Sequence, residues 1–205
     1  MAVPSRDREL IQIMDASWSE AAHRAGTHLA CRPGCTQCCH GPFPINALDV
    51  ARLRAGMDAL RSTDPALASQ IEQRAQAWID TWAPHFPGDA QSGILASTEA
   101  AREPFEELAD NAPCPALDPE TGRCDVYAWR PMTCRLFGPP VRQESGALGC
   151  CELCFTQASD PEIAACEMQV PHDLESSLLE DLDDPSETVV AYALVKHFPA
   201  VSAIK

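Results

Sequence analysis

Apolar residues recur at three- and four-residue spacing along much of the chain, the pattern of helices that bury one face. Residues 10–29 follow this pattern as one long helix, which we expect Pro33 and Gly34 to end. A second helix is predicted to begin at Asn46, whose side chain can cap free amides. A third is predicted to begin at Pro65, because proline suits the first helical turn.

The middle of the chain loses this periodicity. Residues 83–97 are rich in Pro, Gly and Ser and predict a surface loop, and a short helix is predicted over residues 104–110. Over residues 114–149 prolines, glycines and cysteines dominate, and the turn in "LDPETGRC" suits a short β-hairpin. Helical patterns resume in the tail.

A chain of 205 residues is long enough for one sizeable hydrophobic core. We predict a mainly α fold, a single helical domain over residues 1–205 with room for a short β-hairpin. An irregular cysteine-rich metal-binding middle is expected over about 28–155, followed by an acidic helical C-terminal segment over about 156–205.

The net charge of −15 is unevenly distributed, which bears on partners. Residues 143–195 contain twelve acidic residues and neither Lys nor Arg. A strongly acidic protein repels phosphate backbones, so we expect no nucleic-acid partner. The acidic residues are predicted to form a solvated face, with docking of a basic protein partner through the tail as the alternative.

The N-terminal residues and the cysteine count indicate the compartment. Charged residues interrupt every apolar run within residues 1–30, so we expect neither a signal peptide nor a membrane association. The predicted location is therefore the cytoplasm. Because that compartment is reducing and the number of cysteines, eleven, is odd, the thiols are expected to be ligands or redox groups rather than disulfides.

Four cysteines lie in one short stretch, "CRPGCTQCCH". Cys31, Cys35 and Cys38 follow C-x3-C-x2-C spacing, and Cys39 extends it. Such a loop can curl around an ion, and thiolates select zinc, copper(I) or iron–sulfur clusters over magnesium and calcium. The same spacing occurs in radical S-adenosylmethionine enzymes, but there it follows a barrel strand, whereas here it follows a predicted helix.

A second group of cysteines, Cys114, Cys124 and Cys134, is spaced at ten-residue intervals. This spacing alone matches no zinc finger, since fingers usually begin with a tight C-x2–4-C knuckle. Together with the first stretch it gives seven thiols, too many for one tetrahedral ion. We therefore predict either two ions that share bridging thiolates or a larger cluster.

A third group, "GCCELCF", adds Cys150, Cys151 and Cys154. The C-x2-C pair at Cys151 and Cys154 is a good metal knuckle and also a candidate redox pair. We predict that at least one of the three is a ligand. Cys166 shares an apolar helix face with Ile163, so we expect it to be a packed core thiol.

Two arginines, Arg130 and Arg135, flank Cys134. Thiolates around a divalent ion have a net negative charge, which guanidinium groups nearby would offset. We therefore expect both arginines to lie against the bound group. The alternative is that each one caps backbone carbonyls or pairs with an acidic residue.

Three segments in this order, "CRPGCTQCC", "CPALD" and "GRCDVYAWRPMTCRLFG", resemble the YkgJ-type cysteine-cluster family, whose members are described as zinc- or iron-chelating. The resemblance covers roughly residues 28–140 and implies metal binding through the cysteines. A related branch, the flagellin lysine methylases, combines a cysteine cluster with methyl transfer in much longer chains.

The sequence thus predicts a metal-binding protein that holds zinc or iron, with an iron–sulfur cluster as one form of the centre. The predicted ligands are a core set and one member of the third group: Cys31, Cys35, Cys38, Cys39, Cys114, Cys124 and Cys134, with Cys150, Cys151 or Cys154. Two alternatives stay open: an iron–sulfur redox or S-adenosylmethionine-dependent methyl-transfer enzyme, and a metal storage or delivery protein. Neither a Ser/His/Asp order nor a phosphate loop is present, so catalysis is left open.

Overall fold

The structure is a computed structural model that describes residues 3–143 and 145–195, and more than half of the chain is helical. The mainly α fold is therefore confirmed. The described residues contain eight α-helices: α1 (Asp7–Ala25), α2 (Ala47–Thr63), α3 (Pro65–Trp82), α4 (Glu99–Leu108), α5 (Met132–Leu136), α6 (Asp160–Ala165), α7 (His172–Leu182) and α8 (Val190–Leu194).

Two short antiparallel strand pairs accompany the helices. Strand β1 (Gly88–Asp89) pairs with β2 (Ile94–Leu95), and β3 (Val141–Arg142) pairs with β4 (Leu148–Gly149). The predicted short hairpin thus exists, but the turn in "LDPETGRC" is not where it forms. That turn closes a single antiparallel bridge between Leu117 and Cys124.

Contacts divide the chain into two compact units. Within the described residues, unit 1 comprises Val3, residues 36–131 and residues 182–195, and unit 2 comprises residues 4–35, 132–143 and 145–181. Unit 1 therefore contains α2, α3, α4 and α8 with the first strand pair, and unit 2 contains α1, α5, α6 and α7 with the second pair. The single-domain organisation stays a prediction.

The core of unit 1 forms where α2, α3 and α8 pack together. Leu53 of α2, Ile71 of α3 and Leu194 of α8 are fully buried there. Cys114 and Cys124 pack against the same core from the loop between α4 and α5. The helices of unit 1 thereby fix the positions of two cysteines that have no regular secondary structure of their own.

Unit 2 is built on α1 and the segments that follow α5. The indole nitrogen of Trp18 on α1 donates to the carbonyl of Phe137 at 3.1 Å. At the C-terminal end of α1, Ala25 forms a small buried cluster with Phe155 and Cys166. The prediction that Cys166 is a core thiol is confirmed, since it is 6% exposed.

The predicted starts of α2 and α3 are confirmed, whereas the predicted end of α1 is not. Asn46 caps α2 by accepting from the amide of Asp49 at 3.0 Å, and Pro65 opens α3. The predicted end of α1 at Pro33 and Gly34 is wrong, because α1 stops at Gly26, whose φ of 52° a glycine adopts without a steric cost.

Other boundaries shift by a few residues. Helix α4 begins at Glu99 instead of residue 104, because the glutamate and alanines that precede Pro104 are helix formers. The predicted loop over residues 83–97 contains β1 and β2. The predicted extension of the last helix beyond Val195 lies outside the described residues.

Among the described helices, none is both long enough and apolar enough to cross a bilayer.

Candidate metal centre

All eleven cysteines lie in the described part of the chain, and all are free thiols. The stretch that was predicted as one ligand loop is divided between the two units. Cys31 and Cys35 belong to unit 2, whereas Cys38 and Cys39 belong to unit 1. The loop therefore supplies thiols to both units, and each group of cysteines has its own surroundings.

In unit 1, three segments bring together four thiols that we call the first set: Cys38, Cys39, Cys114 and Cys124. The amide of Cys114 donates to the carbonyl of Cys39 at 2.8 Å, as part of an antiparallel bridge between His40 and Pro113. This bridge places the end of the first cysteine stretch beside the second one. The thiols of Cys38 and Cys39 are hydrogen-bonded to each other.

Cys124 joins the first set because its segment folds back on the one that contains Cys114. It is bridged to Leu117, and the amide of Asp125 donates to the carbonyl of Ala116 at 2.9 Å. The turn between them supplies the reversal of direction, since Gly122 has a φ of 66°. The eleven residues from Cys114 to Cys124 thus form a closed loop whose two thiols lie near each other.

Arg74 on α3 fixes this loop, and sequence reasoning missed it. Its Nε donates to the carbonyl of Pro115 at 2.9 Å, and a terminal nitrogen lies 2.5 Å from a carboxylate oxygen of Asp125. One side chain therefore holds the residues next to both Cys114 and Cys124. One signal in the sequence could have indicated this role: Arg74 precedes Ala75, which lies on the buried face of α3. A charged side chain next to a buried helix face needs a polar partner.

Charge and burial give the four thiols of the first set different acidities. The hydrogen bond from the Cys39 thiol is the main cause that lowers the pKa of Cys38 to about 6, and the positive charge of Arg130 helps. The same contact raises the pKa of Cys39. Burial raises the pKa of Cys114 to about 12 and also raises that of Cys124.

Arg130 is positioned beside the first set. Its guanidinium stacks over the Tyr127 ring at 4.0 Å from the ring centroid and donates to the Tyr127 carbonyl at 3.0 Å. Its charge lowers the pKa of both Cys38 and Cys124, although burial outweighs that effect at Cys124. In this position, the positive charge of Arg130 would offset part of the negative charge of metal-bound thiolates.

In unit 2, two segments bring together four thiols that we call the second set: Cys31, Cys35, Cys151 and Cys154. The amide of Ala30 donates to the Cys154 sulfur at 3.3 Å, and the amide of Cys154 donates to the carbonyl of Cys151 at 2.8 Å. The thiol of Cys154 is hydrogen-bonded to the thiols of Cys31 and Cys151. The C-x2-C knuckle is thus a tight turn beside the first cysteine stretch.

Gly138 borders the second set, and its role could not be predicted from the sequence. Its φ is 112°, and a Cβ atom added there would lie 2.9 Å from the sulfur of Cys31. Its carbonyl accepts from the amide of Cys151 at 3.4 Å. A residue without a side chain therefore lets both segments of the second set approach the same backbone.

The second set is electrostatically unfavourable for thiolates in the absence of a cation. Burial, followed by the neighbouring thiols of Cys154, Cys151 and Cys35, raises the pKa of Cys31 to about 12. Burial also raises the pKa of Cys151. A divalent cation would reverse this balance, because it favours the deprotonated form of every sulfur that it binds.

The remaining predicted residues have other surroundings. Cys134 and Cys150 are half-buried in unit 2, and burial followed by the charge of Cys154 raises the pKa of Cys150. Arg135 is 2% exposed and forms a 2.6 Å ion pair with Asp15 on α1. Of the two arginines predicted to lie against the bound group, Arg130 is next to thiols, whereas the ion pair of Arg135 matches the alternative of an acidic partner.

The donor chemistry of both sets fits the metals that sulfur prefers. In the part of the chain that the structure describes, no three Cys, His, Asp or Glu side chains stand in an arrangement that would hold a metal. Each set nevertheless offers four sulfur atoms on irregular segments, and four sulfurs are what a structural zinc ion takes. An iron–sulfur cluster takes the same number.

A mostly helical fold with clustered free cysteines defines a cysteine-cluster protein. The chain belongs to the CxxCxxCC family, described as "Putative zinc- or iron-chelating domain", whose model matches residues 30–154. That span includes both sets, and it confirms the family resemblance found in the cysteine stretches. The comparisons found no matching curated protein and no matching solved structure.

Proposed function

We propose that this protein binds zinc or iron through thiolates of the first and second sets. The observation that supports this most strongly is the convergence of cysteines that are far apart in sequence. Cys39 precedes α2, α3 and α4 in the sequence, and Cys124 follows them. The fold nevertheless brings the two thiols close enough for Cys124 to help raise the pKa of Cys39. A bound cation would favour the deprotonated form of each of these crowded thiols, which supports a metal as their ligand.

The bound metal would cross-link segments that the fold otherwise joins weakly. Cys39 ends a short 3-10 helix, and Cys114 and Cys124 lie on a loop; single antiparallel bridges join these segments. Zinc bound to such loops contributes folding energy directly, whereas an iron–sulfur cluster would also supply a centre for electron transfer. In either form, Arg130 would offset part of the negative charge of the thiolates.

Elemental analysis of protein purified without oxygen and without a metal-binding tag tests this proposal. We expect zinc or iron at a stoichiometric level, and iron accompanied by sulfide and a band near roughly 400 nm would identify a cluster. Cys114→Ser should lower the metal content. Cys166→Ser is the matched control, since it alters a buried thiol of the core without removing a member of either set.

A wild-type protein that contains neither metal at a stoichiometric level, with a native fold, would contradict the proposal. Equal metal loss in Cys114→Ser and Cys166→Ser would contradict the assignment of the ligands. A cytoplasmic location and a basic partner for the acidic segment stay predictions.

A further inference from the structure

The division of the cysteines between the two units has a consequence for the number of metal centres. We propose that the chain holds two separate centres, one on the first set in unit 1 and one on the second set in unit 2. This inference rests on the proposed function and refines it. In place of two ions that share bridging thiolates or one larger cluster, it proposes two centres of four thiolates each.

The first reason is that each set is complete within its own unit. The first set is assembled from segments of unit 1 alone. The amide of Cys114 donates to the carbonyl of Cys39, and an antiparallel bridge joins Cys124 to Leu117. The contacts of Cys154 with Ala30 and Cys31 assemble the second set from segments of unit 2 alone. Each set therefore depends on a different group of backbone contacts.

The second reason is the number of donors. A tetrahedral zinc ion takes four protein ligands, and an iron–sulfur cluster of the common kinds also takes four cysteines. Each set offers four thiols on segments that are bonded to one another within one unit, which matches this requirement twice. The inference leaves Cys134 and Cys166 outside both centres, and Cys150 borders the second set because it packs against the same cluster as Cys154.

The third reason is that the surroundings of the two sets differ in charge. Arg74 is bonded to the residues next to Cys114 and Cys124, so it places positive charge beside the first set. The second set instead packs in an apolar cluster that includes Ala25 and Phe155. Two centres in different electrostatic surroundings are expected to release their metal at different chelator concentrations.

Cys35→Ser and Cys38→Ser are a matched pair of variants for testing this inference. The two residues are three positions apart, both are half-buried, and they belong to different sets. We expect each variant to retain about half of the wild-type metal content, because each one removes a single ligand from a single centre. Cys166→Ser, which alters a buried core thiol and removes no member of either set, should retain all of it.

Thiol alkylation followed by peptide mass mapping then shows which centre is lost. In Cys35→Ser we expect Cys31, Cys151 and Cys154 to become reactive while Cys114 and Cys124 stay protected. In Cys38→Ser we expect Cys114 and Cys124 to become reactive while Cys31, Cys151 and Cys154 stay protected. Loss of protection in both sets from either single variant would overturn the inference.

The wild-type protein provides a test that does not depend on whether a variant folds. Stepwise removal of metal with a chelator, with alkylation at each step, should expose the eight thiols in two groups of four. Exposure of all eight in one step, or protection of Cys134 together with them, would overturn the inference of two centres. Absence of metal from the wild-type protein would instead overturn the proposed function itself.

Discussion

At the scale of single residues, the second set depends on a glycine at position 138. A Cβ atom at this position would lie only 2.9 Å from the Cys31 sulfur, so a residue larger than glycine does not fit unless that sulfur moves. We expect Gly138→Ala to displace Cys31 and to lower metal binding by the second set. Metal content and the alkylation rate of Cys31 measure this effect.

Gly146→Ala is the control for that prediction. Gly146 also has a positive φ, of 83°, but a Cβ atom there would meet nothing within 4 Å. Both variants should lose about 1–3 kcal/mol of stability from backbone strain. Only Gly138→Ala should change the metal content, and an equal loss in both would show that strain, rather than the contact with Cys31, is responsible.

Residue types were predicted more reliably than residue contacts. The chemistry of thiols is enough to predict a class of metal, because thiolates select zinc, copper(I) and iron–sulfur clusters over magnesium and calcium. The approach of Gly138 to Cys31 and the ion pair of Arg135 with Asp15 depend on the tertiary fold. No local pattern in the sequence could have indicated either contact.

At the scale of elements, the attachment of the Cys114–Cys124 loop to α3 depends on Arg74. We expect Arg74→Met to destabilise the protein by about 1–3 kcal/mol, because the mostly buried carboxylate of Asp125 would lose its partner. The alkylation of Cys114 and Cys124 should become faster. Thermal unfolding and thiol reactivity measure the two effects.

Arg61→Met provides the comparison for that variant. Arg61 also joins two elements, since it pairs with Glu72 of α3 at 2.6 Å, and it contacts no cysteine segment through this pair. We expect this variant to leave the alkylation of the first set unchanged. If both variants increase the reactivity of Cys114 equally, Arg74 has no specific part in holding the loop.

The hairpin of β3 and β4 is attached to the end of α6 by a pH-dependent ion pair. The Arg142 guanidinium donates to the Glu167 carboxylate at 2.9 Å and holds the pKa of Glu167 below its ordinary value of 4.5. Because the folded pKa is the lower one, the pair stabilises the fold fully above about pH 4.5 and is lost as the pH falls through the folded pKa.

A proton titration of Glu167 by NMR measures that pair directly. We expect the pKa of Glu167 to be below 4.5 in the wild type and to return to the ordinary range in Arg142→Gln. An unchanged pKa in the variant would show that the guanidinium does not act on this carboxylate.

The starts of α2 and α3 were predictable because each depends on a single residue and local geometry. Asn46 and Pro65 began helices as expected, since a cap and a fixed φ act without help from the rest of the chain. The end of α1 was mispredicted because several residues could stop a helix there. Gly26 stops it first, and the chain then continues through a short 3-10 turn toward Cys31.

At the scale of the whole molecule, the boundary between the two units falls inside the most cysteine-rich stretch. Sequence spacing favoured a single ligand loop, because Cys31 to Cys39 lie close together along the chain. The fold instead assigns Cys31 and Cys35 to unit 2 and the others to unit 1. This sorting depends on which distant segments pack together, and the spacing of the motif contains no information about that.

The central claim is that thiolates of this chain bind the metal, and X-ray absorption spectroscopy at the edge of the bound metal tests it most directly. The sample is protein isolated without oxygen and without a metal-binding tag. The account predicts a coordination shell made of sulfur, at about 2.3 Å if the metal is zinc. A shell dominated by nitrogen or oxygen would contradict it, because the metal would then be bound by side chains other than the clustered cysteines.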